Sequence, residues 1–253
     1  MINIRNLWKR YGKTDVLKGM DLEVKRGEVL VILGRSGVGK SVLLRHIIGI
    51  EKPDNGVIEV EGVCISNLKH DALYKAVRNM GMLFQGSALF DSMNIGENTA
   101  FHLKQHGNPD TGEPYTDQEL KEKVANALSM VGLEGTQKKM PSELSGGMRK
   151  RAGLARLIVY RPTILLYDEP TTGLDPMTAY QISDLIVQTQ AELKGTSIVV
   201  THDIASALHI ADRIALHQDG KIAYIDKPEA FIQIDDPTIQ FIHQTMTLSP
   251  RKS

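Results

Sequence analysis

Eight residues, GRSGVGKS at 34 to 41, have the spacing G-x-x-x-x-G-K-[ST] with which a backbone can wrap a phosphate. Gly34, Gly37 and Gly39 let the chain turn its N–H groups toward an anion without Cβ clashes, and Ser36 and Val38 complete the loop. Lys40 supplies a positive charge for the β and γ phosphates, Ser41 a hydroxyl for Mg²⁺, and Arg35 further charge nearby. The apolar run VLVILG precedes the loop and SVLLRHIIG follows it, so the order is strand, glycine loop, helix of about two turns. That helix would aim its positive end at the anion. The alternative is a glycine-rich turn that happens to hold a lysine; a chance match to the full pattern occurs in roughly one chain in a hundred of this length, and the flanking strand and helix favour nucleotide binding.

Two further segments have the residue types for the same chemistry. TILLYDEP is an apolar strand ending in Asp168 and Glu169, which places both acids at the carboxyl end of a sheet, where ligands bind. Asp168 is then a Mg²⁺ ligand and Glu169 the group that activates or orients an attacking water, whereas alone they would read as solvated acids capping a strand. LSGGM at 144 to 148 opens the helix MRKRAGLARLIVY, so Ser145, Gly146 and Gly147 offer a hydroxyl and N–H groups at a second positive helix end. Standing alone, this would be an ordinary helix cap. Two such ends, about a hundred residues apart in one chain, are difficult to explain with one nucleotide contacted from one side.

The elements that must position these residues are legible in outline. INIRNLWKRYG and GMDLEVKRGE alternate as strands, PDNG at 53 to 56 is a turn, and VIEVEG alternates as an edge-exposed strand, giving an antiparallel flank. Residues 87 to 160 have helical periodicity, with Leu120, Val124, Leu128 and Val131 on one face, and HGNPDTGEPYTD reads as a mobile loop. TILLYD and SIVVTH read as buried parallel strands, and between them Asp175 and Pro176 cap and start a helix running to about Leu193. This alternation implies an α/β fold. The expected organisation is one domain over 1–253: a catalytic core with its β subdomain at 1–86 and 161–243, a helical subdomain at 87–160, and a short tail at 244–253.

Composition narrows the partners. The 253 residues hold 30 Lys+Arg and 30 Asp+Glu, so nothing draws the whole chain to nucleic acid. The single cysteine, Cys64, can form no internal disulfide, has no neighbours for a metal site, and is expected as a core thiol in a reducing compartment. No apolar run approaches the roughly 18 residues of a spanning helix, and MINIRNLWKRYG lacks the apolar stretch of a signal peptide. The expectation is a protein that stays inside the cell and reaches a membrane only by docking on a protein that crosses it.

Taken in order, the phosphate loop, Gln85 in LFQGSALF, LSGGM, YDEP, GLDP at 173 to 176, and THD with His202 resemble an ABC-type ATPase over almost the whole chain. The resemblance implies a RecA-like P-loop NTPase core with an antiparallel β flank and an inserted α-helical subdomain. It also implies ATP and Mg²⁺ as cofactors, and a head-to-tail homodimer with ATP held between the phosphate loop of one copy and LSGGM of the other. Carried over residue by residue, Tyr11 stacks on adenine, Gln85 senses Mg²⁺ and the lytic water, His202 contacts the γ-phosphate, and Asp175 acts across the dimer interface. The chain departs from the common pattern at Met148, where glutamine is usual.

Within the family, transporter motors receive a short helix of a transmembrane permease beside the Gln loop, and Leu89, Phe90, Met93 and Ile95 either line that groove or are buried within the helical subdomain. Soluble ABC machines of DNA repair, chromosome structure or translation usually carry coiled coils, zinc inserts or a second cassette, which this sequence does not. LFQGSALFDSMNIGENTAF, LSGGMRKRAGLAR and LLYDEPTTGLDP look most similar to the ATPases of Mce-associated lipid transporters, including the Mla phospholipid system of Gram-negative envelopes. That similarity implies phospholipid traffic between inner and outer membranes, with the chain peripheral on the cytoplasmic face of the inner one. Implied partners are a permease, a periplasmic Mce-domain lipid-binding protein and a small STAS-domain subunit. Importers of amino acids or metal ions are the alternative, and the tail FIHQTMTLSPRKS is read as frayed or as a clasp on a neighbouring chain.

Overall fold

The computed structural model describes residues 2–109 and 111–240, in two compact units. One unit comprises the residues up to Leu68 together with those from Val199 onward, the other Lys69–Ile198. The helical segment expected at 87–160 lies wholly within the second. The expected tail at 244–253, with the clasp or fraying read for it, lies outside the described residues.

The chain opens with β1 (Ile2–Tyr11), β2 (Thr14–Val24) and β3 (Val29–Leu33), then α1 (Lys40–Ile47), β4 (Asn55–Val60) and β5 (Val63–Cys64). Ile2, Ile4 and Leu7 of β1 are buried, and their two-residue period slips between Ile4 and Leu7, where the register with β2 shifts and Asn6 takes a φ of 48°. The antiparallel sheet runs β2-β1-β4-β5, so β4 is flanked on both sides although its alternation resembles that of an edge strand. Cys64 corrects the expectation of a core thiol. It is exposed, as is Val63, because β5 is a two-residue edge strand paired on one side only.

The second unit contains α2 (His70–Val77), β6 (Met80–Leu83), α3 (Ile95–His106), α4 (Asp117–Met130), α5 (Gly146–Ile158), β7 (Ile164–Asp168) and α6 (Pro176–Leu193). β8 (Thr196–Thr201) begins here and ends in the first unit. Capping boxes start α3 at Asn94 and Glu97 and α4 at Thr116 and Glu119. On α4 and its cap, Leu120, Val124, Leu128 and Val131 are buried as the periodicity requires. Residue 110 of the expected loop lies outside the described residues, while beside it Asn108 N–H donates to Glu113 O at 2.8 Å. β6 and β7 pair in parallel.

The remaining elements, α7 (Ile204–Ile210), β9 (Arg213–Gln218), β10 (Lys221–Asp226) and α8 (Pro228–Phe231), belong to the first unit, where β3 pairs in parallel with β9 and β9 antiparallel with β10. All five residues of β3 are buried, matching a run apolar on both faces. Among the described residues no helix is long and apolar enough to cross a membrane.

At the end of β9, His217 is 1% exposed and neither ring nitrogen has a hydrogen-bond partner among the described residues. Burial, and then the charge of Lys40, push its pKa down to about 4. The folded state therefore holds this ring neutral while the unfolded chain takes up the proton near pH 6.5, so stability is present above that pH and lost as the pH falls toward 4. Urea unfolding across this window should show a loss to which His217 contributes up to about 3 kcal/mol, alongside His102, whose pKa burial also lowers to about 4. His217→Gln should remove the His217 share of that loss and leave the His102 share in place.

Candidate active site

In the first unit the phosphate loop runs from the buried end of β3 into α1. Gly39 caps α1 with a φ of 108°, and a Cβ there would sit 2.5 Å from Val16 Cγ1, so both conformation and space demand glycine. Gly37 also has a positive φ of 82°, with open space where a side chain would begin. Lys40 is 5% exposed, and its ammonium donates to Gly34 O at 2.7 Å and to Arg35 O at 3.1 Å. Arg35 and Ser36 are exposed, Val38 and Ser41 half-buried, and α1 has no acidic residue in its first turn to oppose its positive end. The loop thus has the curvature, the cation and the helix end that a triphosphate requires.

Tyr11 lies exposed at the end of β1, with the Lys9 ammonium 5.4 Å from its ring centroid. Its hydroxyl donates to Glu51, which also receives Arg45 of α1 at 3.2 Å. Burial and then this bond to Glu51 push the phenol pKa up. The anchor escaped the sequence reading because 40 residues separate its two ends. His202 is exposed immediately after β8 in the same unit.

The second unit contains Gln85, Ser145 to Gly147, Asp168, Glu169 and Asp175. Asp168 and Glu169 are each 7% exposed at the end of the fully buried β7. Glu169 takes a φ of 48°, uncommon for a residue with a side chain, and its carboxylate accepts from Thr172 Oγ1 at 3.0 Å. Gln85 is exposed beyond β6 and precedes two left-handed residues, Ser87 and Ala88. Ser145 caps α5 by accepting from Met148 N–H at 3.3 Å, so methionine at 148 leaves the cap in place, and the first turn again holds no acid.

Asp175 caps α6 by accepting from Thr178 N–H at 3.0 Å and Oγ1 at 2.6 Å, bonds that hold its carboxyl below the usual range. A Cβ on Gly147 would meet Thr178 Cγ2 at 2.6 Å. The start of α5 and the cap of α6 are therefore fitted to each other through one threonine. Lys150, 6% exposed, donates from α5 to the carbonyls of Gln85 and Glu169. Sequence reasoning passed over Thr178 and Lys150, the latter because it stands within three consecutive cations. Of the four apolar residues after Gln85, Phe90 is 39% exposed, and Leu89 and Met93 are half-buried. Ile95 does not line a groove: it opens α3 with its side chain fully buried.

Residues 17–172 match the family model described as ABC transporter. The chain belongs to the ABC transporter family. As an ABC transporter ATPase subunit it binds and hydrolyses ATP. It is 38% identical over 243 residues to the probable ribonucleotide transport ATP-binding protein mkl of Mycobacterium leprae, covering 96% of this chain and 68% of that one. To the intermembrane phospholipid transport system ATP-binding protein MlaF of Haemophilus influenzae it is also 38% identical, over 96% of this chain and 90% of that one. A methionine import ATP-binding protein, MetN of Clostridium tetani, is 40% identical over 96% of this chain and 75% of its own length. Among solved structures, a dimeric ATP-binding cassette in a post-hydrolysis state bound to ADP and Pi superposes with a TM-score of 0.82 at 31% identity, covering 90% of this chain and 99% of that one. The fold is thus that of an ABC cassette, a P-loop NTPase of mixed α/β structure, and such cassettes are dimeric and work with a transmembrane permease.

Lys40→Ala removes the cation that the loop encloses. The variant should keep its fold by circular dichroism and bind a fluorescent ATP analogue about ten- to a hundredfold more weakly, the range for losing a charged hydrogen bond.

Proposed function

We propose that this ABC ATPase pairs head-to-tail with a second copy and energises phospholipid transport between inner and outer membranes, from the cytoplasmic face of the inner one. The observation that carries the pairing is the presence in one chain of two acid-free helix starts, α1 behind the phosphate loop and α5 behind Ser145, each suited to an anion. In a head-to-tail pair each ATP receives one of each, and Asp175 acts across the interface. Gly34 to Ser41 cradle the phosphates, Tyr11 stacks on adenine, Glu169 activates or orients the water, and His202 contacts the γ-phosphate.

Ser41, Asp168 and Gln85 supply a hydroxyl, a carboxylate and an amide oxygen, the hard donors that suit Mg²⁺. The Asp168 carboxylate, nearly buried at a strand end, has the character of a cation ligand. Bound there, Mg²⁺ supplies charge neutralisation at the phosphates. The chain's own contribution is to orient the water through Glu169 and to hold the phosphates through Lys40 and the loop amides.

Support for a phospholipid cargo comes from the relative of Haemophilus influenzae, with which the match runs through nearly the whole of both chains. On that reading the partners are a permease, a periplasmic Mce-domain lipid-binding protein and a small STAS-domain subunit, and no nucleic acid takes part. Identity to the methionine import protein of Clostridium tetani keeps an amino-acid importer as the second reading. Copurification separates them: an Mce-domain protein supports lipid transport, and a solute-binding protein overturns it.

Glu169→Gln should bind ATP, accumulate as a dimer in size-exclusion chromatography with ATP, and turn over at least about a hundredfold more slowly. Near-normal turnover would remove Glu169 from its role. Phe90 packs 4.7 Å from the Phe101 centroid with the Arg156 guanidinium 5.2 Å away, leaving one side of its ring at the surface. Phe90→Asp should preserve ATP affinity and weaken copurification with the permease.

A further inference from the structure

We propose that Lys150 is a positioning residue for ATP hydrolysis, its buried ammonium tying the Gln85 loop and the Asp168–Glu169 turn to the helix that Ser145 heads. The proposal rests on the roles given above to Gln85 and Glu169. From α5 the ammonium donates to the main-chain carbonyl of Gln85 and, at 3.4 Å, to that of Glu169. One side chain thus reaches the backbone of two segments that follow different parallel strands, β6 and β7.

The rest of α5 extends the same contact. Residues 150, 153 and 156 recur every three positions and so lie along one side of the helix. Gly153 brings the helix so close to the loop that a Cβ there would sit 3.0 Å from Ser87 Cβ and 2.9 Å from Leu83 Cδ1. Arg156 Nη1 donates to Ala88 O at 2.6 Å. Ser87, Ala88 and Glu169 all hold positive φ, a conformation that persists in residues with side chains only where the surroundings over-determine it. The two cations bond to carbonyls at or beside these strained positions.

Energetics argue that this lysine does more than glue a helix. Burial disfavours its ammonium and lowers its pKa, against the charges of Asp168 and Glu169, which favour the charged form. An apolar side chain of similar length would avoid that desolvation and pack the helix as well or better. What the apolar substitute cannot do is fix the direction of two carbonyls, and so the trajectory of the Gln85 and Glu169 side chains beside them.

The test uses the purified full chain with Lys150→Met, which keeps length without donors, and Lys150→Arg, which keeps charge and donors. Glu169→Gln runs alongside. Steady-state ATPase activity is normalised to sites titrated with a fluorescent ATP analogue, and thermal midpoints are recorded. Lys150→Met should lose about ten- to a hundredfold in kcat, the range expected when a reacting group is misplaced by roughly an ångström, with KM for ATP changed by less than about twofold. Lys150→Arg should recover much of kcat. Should Lys150→Met fail to fold, Lys150→Gln, whose shorter and uncharged amide cannot replace the ammonium, should show the same split between kcat and KM, and normal kcat per titrated site there overturns the proposal as well. Normal kcat per titrated site in the donor-free variant, or a loss that arginine does not rescue, overturns the proposal. Near-normal turnover in Glu169→Gln instead overturns the reading on which it rests, so the two failures are distinguishable.

Discussion

A cation can be kept away from water only where oxygen atoms replace its hydration, and the Lys40 ammonium is kept in this way by the carbonyls of Gly34 and Arg35. For two carbonyls of the preceding loop to point at the lysine that closes it, the chain must double back within six residues. Glycine at 37 and 39, both with positive φ, makes that path possible. The neighbouring elements are arranged around it. β3 is buried throughout and delivers the loop from one side, α1 leaves on the other, and β9 brings the His217 backbone so close that a Cβ on Gly34 would meet its carbonyl at 2.8 Å. Neutrality of the His217 ring follows first from its burial in this arrangement and then from the charge of Lys40, both of which disfavour the protonated ring.

In the second unit the same requirement is met with a different geometry. Lys150 finds its oxygens on two separate segments, so its solvation and the placement of those segments are one event. Strain at Ser87, Ala88 and Glu169 is tolerated because bonds from α5 are available to that backbone.

What was legible in the sequence was whatever the chain settles over a few residues. The phosphate loop between β3 and α1, the Asp175 cap with Pro176 behind it, the Ser145 cap, and the buried strands around Leu166 and Val199 each follow from neighbours in sequence and lie where those neighbours imply. What was not legible depends on residues that meet from afar. Nothing within RKR distinguishes Lys150, buried, from Arg149, which is exposed. Cys64 reads as a core thiol by residue type and is exposed because its strand is short and lies at an edge. Ile95 reads as part of an apolar surface patch and is drawn inside by the helix it begins. Roles at Gln85 and His202 come from the resemblance and not from local physics, since an exposed glutamine and an exposed histidine carry no chemical signature of their own.

Thr178 has two duties that can be separated. Its hydroxyl serves Asp175, while its methyl occupies the space that a side chain on Gly147 would need. A serine at 178 would retain the first duty and vacate that space, making alanine at 147 sterically admissible where it now is not. The contact between the two positions is therefore a steric one, separate from whatever the phosphate-facing role of Gly147 requires.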